Sequence, residues 1–182
     1  MKKTELTADI SIPSGVTATG TEHSVTVKGS KGEVTREWKH PLIKIKVDSQ
    51  KISVTSLYAS AREKKIVNTI ESHITNMVRG VQEGHVYRLK ICSGHFPMTV
   101  AMSANEFSVK NFLGEKFPRI LAIDPSVKVS IEAQDVVVQG PALEKVSQCA
   151  ANIEKLTMVR NRDRRIFQDG IYIMIKDGQP IE

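Results

Sequence analysis

The chain has 182 residues, 40% of them hydrophobic, enough for one core or two small ones; wholesale disorder is excluded. A net charge of +6 and a pI near 9.3 point to an anionic partner, because Lys and Arg gain by displacing counterions from phosphates. Two cysteines, Cys92 and Cys149, make neither a disulfide framework nor a metal site, and no apolar run approaches the roughly 20 residues that span a bilayer.

The opening "MKKTELTADI" has two lysines with no apolar run behind them, which is no secretory leader. A soluble protein of a reducing compartment is expected, with no cofactor, metal or membrane. From Ser24 the residues alternate, Val25 and Val27 sharing a face, and Gly29-Ser30-Lys31-Gly32 leads into a second extended run, Glu33 to Trp38. A Gly-x-x-Gly loop carrying lysine can clamp a nucleic-acid backbone, but that clamp sits between two helices. Here period-two patterns flank it, so the stretch reads as a hairpin turn with Lys31 at its exposed tip.

After Pro41, Ile43, Ile45 and Val47 face one way and Leu42, Lys44 and Lys46 the other. Asp48-Ser49-Gln50 turns the chain into a strand with Ile52 and Val54. Ser60-Ala61-Arg62-Glu63 is a capping box, and Ile66, Ile70, Ile74 and Met77 form one stripe of a helix near 60–80. Gly80 and Gly84 bracket its exit.

The second half says the same thing again. Val27-Lys28 falls on Val109-Lys110 and Gly32-Glu33 on Gly114-Glu115, each offset by 82; "KISVTS" has a counterpart in "DVVVQG". A helix follows both, the second over about 141–158, with Pro141 in its first turn and Leu143, Val146, Ala150 and Ile153 as its stripe. Such a repeat implies an α+β fold of two tandem copies of a small domain, residues 1–83 and 84–182. Each is expected to be a mainly antiparallel sheet with one long helix packed on one face. The second copy of the glycine loop, "KNFLGE", lacks the first glycine, so the glycines read as turn chemistry.

After its helix the second copy departs from the first. "MVRNRDRRIFQDGIYI" puts Arg160, Arg162, Arg164 and Arg165 within six residues, against a single Asp163 among them. The planar fork of Arg suits phosphate oxygens, and Phe167 and Tyr172 add rings beside the charge. Phe167, Ile171 and Ile173 read first as core, leaving the arginines as the functional part.

"VRNRD" with "RRIFQDGIYI" resembles the C-terminal signature of the universal large-subunit ribosomal protein family called L-six in bacteria and L-nine in eukaryotes. "SHITNMVRGV" and "FPMTVAMSANEFSVKNFLGEKFPRI" resemble its eukaryotic and archaeal branch, and the resemblance covers essentially the whole chain. It implies a non-enzymatic constituent of the large ribosomal subunit, cytoplasmic and active in translation. It also implies a place near the sarcin–ricin loop and the stalk base, among neighbouring ribosomal proteins, where translation GTPases dock. The C-terminal copy would hold large-subunit rRNA through Lys155, Arg160, Arg162, Arg164 and Arg165. Lys31, Lys110, Lys116 and Arg119 are further candidates for RNA contact.

Two rivals come from other classes. Cys92-Ser93-Gly94-His95 sets a thiol near an imidazole, but no phosphate loop, carboxylate pair or metal spacing accompanies it, so catalysis is not expected. A free-standing RNA-binding regulator would carry the same arginines, and co-sedimentation with large subunits would separate the two readings.

Overall fold

The computed structural model describes residues 5–48, 50–57 and 60–181. The chain forms two compact units, Met1–Gly84 and His85–Glu182.

The first unit runs β1 (Leu6–Ser11), β2 (Thr17–Thr21), β3 (Ser24–Gly29), β4 (Gly32–Glu37), β5 (Ile43–Val47), β6 (Lys51–Ser56) and α1 (Ala61–Gln82). Its strands pair antiparallel in two three-stranded sheets, β1-β6-β5 and β2-β3-β4, with α1 packed on strands of both. The expected alternation sets the faces: Val25, Val27, Ile43, Ile45, Ile52 and Val54 are buried and meet Val67, Ile70 and Ile74 of α1. Ile66 is only partly buried; Val67 takes its place in the stripe. Ser60 caps α1 by accepting the Arg62 N–H at 3.3 Å, and its hydroxyl donates to Glu63. The helix runs through Gly80 to Gln82 and ends before Gly84, whose φ of 83° is left-handed. Of the expected turn Asp48–Gln50, Ser49 lies outside the described residues.

The Gly29–Gly32 stretch is a two-residue hairpin turn, with Gly29 opposite Gly32 in the β3–β4 ladder. Its tip also closes the end of α1: Lys31 N–H donates to the Val81 carbonyl at 3.0 Å and Ser30 Oγ to the Gln82 carbonyl at 3.2 Å. Helix ends leave carbonyls without intrahelical partners, and the turn supplies them. Gly29 is required by this approach, since a Cβ there would lie 2.6 Å from the Val81 oxygen.

The second unit runs β7 (His85–Cys92), β8 (Thr99–Ser103), β9 (Glu106–Lys110), a 3₁₀ turn (Phe112–Gly114), β10 (Arg119–Ala122), β11 (Lys128–Glu132), β12 (Asp135–Gly140), α2 (Leu143–Leu156), β13 (Gly170–Lys176) and β14 (Gln179–Pro180). Its sheets are β10-β9-β8 and β11-β12-β7-β13-β14, antiparallel throughout. In each unit, then, the expected sheet is divided in two. α2 starts at Leu143, two residues later than Pro141 suggested, and buries Val146, Cys149, Ala150 and Ile153 against β7, β12, β13 and β10. Burial pushes the Cys149 thiol up to about 11, which leaves it unreactive.

The repeat holds at the level of register. Thr17 pairs with Lys28 and Thr99 with Lys110, the offset of 82. It fails one strand later: Val27 pairs with Val34, but Val109 with Arg119, so the second connection is longer. Gly114 accordingly sits in the 3₁₀ turn at φ 80°, while Gly32 starts a strand. The match of Gly32-Glu33 to Gly114-Glu115 is one of sequence alone. The sheet β5-β6-β1 corresponds to β11-β12-β7, and the second unit then adds β13 and β14 beyond β7. That addition carries the arginine-rich segment.

Candidate nucleic-acid interface

The arginines lie on the loop between α2 and β13, and buried Thr157 fixes both ends of it. Its hydroxyl donates to the Glu154 carbonyl at 3.3 Å and accepts the Ile171 N–H at 2.9 Å. The first core residue of β13 is thereby tied to the last turn of α2, and residues 160–166 between them are all exposed.

Asp169 holds the loop from below. It is 2% exposed, yet it accepts the Gly94 N–H at 2.5 Å, the His95 N–H at 2.9 Å and His95 Nδ1 at 2.6 Å. A carboxylate only accepts, so Nδ1 carries the proton. Burial opposes ionisation of Asp169, but the hydrogen bonds from the His95 backbone and ring and from Gly94 outweigh it and hold the carboxyl below its usual range. His95, which sequence placed beside Cys92 as a remote catalytic candidate, thus pins the turn after β7 to the turn before β13. Its ring lies 4.8 Å from that of Phe167, and the Arg162 guanidinium stands 4.8 Å over the same Phe167 ring. Phe167 and Ile173 pack against the core and Ile171 is fully buried, whereas Tyr172 is exposed.

The four arginines are not equivalent. Asp163 pairs with Arg165 through a fork, the shortest arm 2.8 Å, although 90% of the Arg165 side chain is exposed. The pairing lowers the Asp163 carboxyl and raises the Arg165 guanidinium. Arg160 and Arg164 are exposed and, among the described residues, make neither hydrogen bond nor ion pair; Arg162 has the Phe167 ring beneath it. Lys155 is exposed on the last turn of α2.

Arg119 has a different duty. It forks onto Glu115 at 2.6 and 2.8 Å, donates to the Leu156 carbonyl at 2.6 Å and lies 4.3 Å over the Phe112 ring. Cations favour a helix C-terminus, and this one binds the 115–119 loop to the end of α2. Lys116 is exposed on that loop, where the charge of Arg162 reaches the neighbouring Glu115; Lys110 is exposed at the end of β9. Lys31 is exposed too, but it belongs to the first unit.

Sequence reasoning missed Asp169 and His95 as the latch, Thr157 as the tie and Arg119 as a brace. No spacing rule joins residues 74 apart, and only the "DG" turn at Asp169-Gly170 hinted at a fixed bend.

Among the described residues, no helix is long and apolar enough to cross a membrane. The model of the family described as ribosomal protein L6 matches residues 12–84 and again 96–170, one match in each unit. The chain is 46% identical over 165 residues to the large ribosomal subunit protein uL6 of Aeropyrum pernix, covering 90% of this chain and 91% of that one. It is 43% identical to the Nanoarchaeum equitans uL6, covering 95% and 94%, and 42% identical to that of Methanococcus vannielii, covering 94% of each. With both of its units matched and likeness of this depth along nearly its whole length, the chain belongs to the ribosomal protein L6 family.

Proposed function

We propose that this chain is a structural constituent of the large ribosomal subunit, not an enzyme, and that its C-terminal unit holds large-subunit rRNA. One observation carries the reading: Arg160, Arg162 and Arg164, with Lys155, stand exposed, and among the described residues none of them makes an ion pair, on a loop that Thr157 and Asp169 pin at its ends. A loop pinned at both ends loses little backbone freedom on meeting phosphates, and each arginine on it displaces counterions. Arg165 joins them by exchanging or sharing Asp163, and Lys116 extends the surface; Lys110 and Lys31 are peripheral candidates. Arg119 contributes by bracing the protein. The chain divides its work, residues 1–83 forming a first repeat and 84–182 the repeat with the basic segment.

Its proposed place is near the sarcin–ricin loop and the stalk base, beside other large-subunit proteins and within reach of translation GTPases, in cytoplasmic ribosomes. The family resemblance supports that placement. The chain should co-sediment with large subunits through a high-salt wash and protect the sarcin–ricin region from hydroxyl-radical cleavage. Release by the wash would favour the free-standing regulator; retention with protection elsewhere would move the site.

A further inference from the structure

Beside the arginine loop, between the last turn of α2 and β13, lies an open cavity of about 260 Å³. Its lining includes Glu154, Lys155, Thr157, Arg164, Phe167 and Tyr172. Lys155 and Arg164 are exposed, so their charges stand at its mouth.

The aromatic walls are fixed. Phe167 is held by His95 and Arg162, both 4.8 Å from its ring. The Tyr172 ring lies against Gly170, where a Cβ would come within 3.0 Å of it, and its hydroxyl donates to the Gln168 carbonyl at 3.1 Å. Tyr172 is nevertheless 39% exposed. Glu154 is half used: Oε1 accepts the Ile173 N–H at 3.3 Å, and Oε2 has no hydrogen bond or ion pair among the described residues. Glu154, Arg164 and Tyr172 line one small space; burial raises the Tyr172 phenol, as do the charges of Cys92, Asp169 and Glu154, while that of Arg164 opposes them.

We propose that this cavity takes a single unstacked RNA base bearing an exocyclic amino group, with the adjoining phosphate on Arg164 and Lys155. The proposal rests on the RNA-binding reading above and names what that surface reads. A planar base needs a fixed ring to lie on, and protein aromatics supply one in single-stranded RNA sites. A carboxylate can only accept, so Glu154 favours the amino groups of adenine, cytosine and guanine. Uracil offers an imide N–H flanked by two carbonyl oxygens, which the carboxylate repels. The two cations meet the charge that accompanies any nucleotide.

The test uses the full chain. Adenosine, cytidine and uridine 5′-monophosphates and inorganic phosphate are titrated in separate arms, with NMR resonances of Thr157, Phe167 and Tyr172 as readout. Adenosine and cytidine monophosphates should shift all three, several-fold more tightly than uridine monophosphate, and inorganic phosphate should leave them still. Glu154→Gln, which keeps an acceptor for Ile173 N–H, should erase the preference against uridine while retaining binding. In parallel, Tyr172→Ala should weaken binding to large-subunit rRNA by about tenfold with an unchanged salt slope. The pocket is overturned if the nucleotides shift only arginine resonances, as phosphate would, or if a folded Tyr172→Ala keeps full rRNA affinity. Should that variant not fold, the Glu154→Gln arm decides. A chain that binds no rRNA ends the functional reading, while the mononucleotide arms still decide the pocket independently.

Discussion

His95 Nδ1 stands 2.6 Å from the Asp169 carboxylate, joining two turns 74 residues apart, and its ring lies 4.8 Å from the Phe167 ring on which Arg162 rests. The base of the proposed RNA surface is thus a half-buried hydrogen bond onto a buried carboxylate, and the exposed residues of the loop inherit its geometry.

Asp169→Asn should destabilise the protein by about 1–3 kcal/mol, because the amide cannot satisfy three donors as the carboxylate does. The effect depends on pH. The folded-state pKa of Asp169 lies below its unfolded value, about 3.9, so its contribution is complete above that value and is lost as pH falls through the folded one. Urea unfolding at pH 6 should separate wild type from Asp169→Asn, and the gap should narrow below about pH 4. An equal gap at both pH values would mean that the ionised carboxylate is not what matters.

The double variant Arg162→Ala with Arg165→Ala should flatten the plot of log affinity for rRNA against log salt by somewhat under one unit per arginine. Its melting temperature should change little, because the Arg165 side chain is 90% exposed and ion pairs at the surface contribute little. A large loss of thermal stability with an unchanged slope would reassign these arginines to bracing the loop.

Arg119→Ala should do the reverse. It removes a fork to Glu115, a bond to the Leu156 carbonyl and the contact with Phe112, for a cost of about 2 kcal/mol. The salt slope should stay near that of wild type once folding is ensured. Calorimetry and filter binding on the same preparation separate the two effects.

Gly29→Ala should cost about 1–3 kcal/mol, since its Cβ would press on the Val81 carbonyl and drive the β3–β4 tip off the end of α1. Lys31→Ala, which keeps the backbone bond to Val81, should leave stability near that of wild type. Amide exchange at Lys31 reports directly on the docking.

Bulk charge and clustering make opposite predictions for the separate units. Through Glu83 the chain has 13 basic and 9 acidic residues; beyond it, 13 and 11. Each unit has its own core, so both can be prepared alone. The second should bind an rRNA fragment more tightly despite its lower net charge. Equal or stronger binding by the first would leave the arginine loop without its role.

Much of the fold is legible in the sequence because it is local. Val25 and Val27, or Ile43 and Ile45, share a face by the period of two, and Ile70 and Ile74 by the helical period. The offset of 82 is equally local in kind, since like segments form like hairpins, and the four arginines declare themselves by density alone. Other features arise between segments with no shared pattern. The longer connection to β10, the addition of β13 beside β7 and the division of each sheet follow from which ladders close in space. The sorting of the arginines follows from tertiary neighbours: Arg119 finds Glu115 and a helix end, Arg165 finds Asp163, and Arg160 and Arg164 find neither. Composition determined that a cluster of cations exists. The tertiary structure decided which are spent inside the protein and which remain for a partner, because a guanidinium's role depends on the acceptors within about 3 Å of it, and contacts over that distance are set by packing rather than by order along the chain.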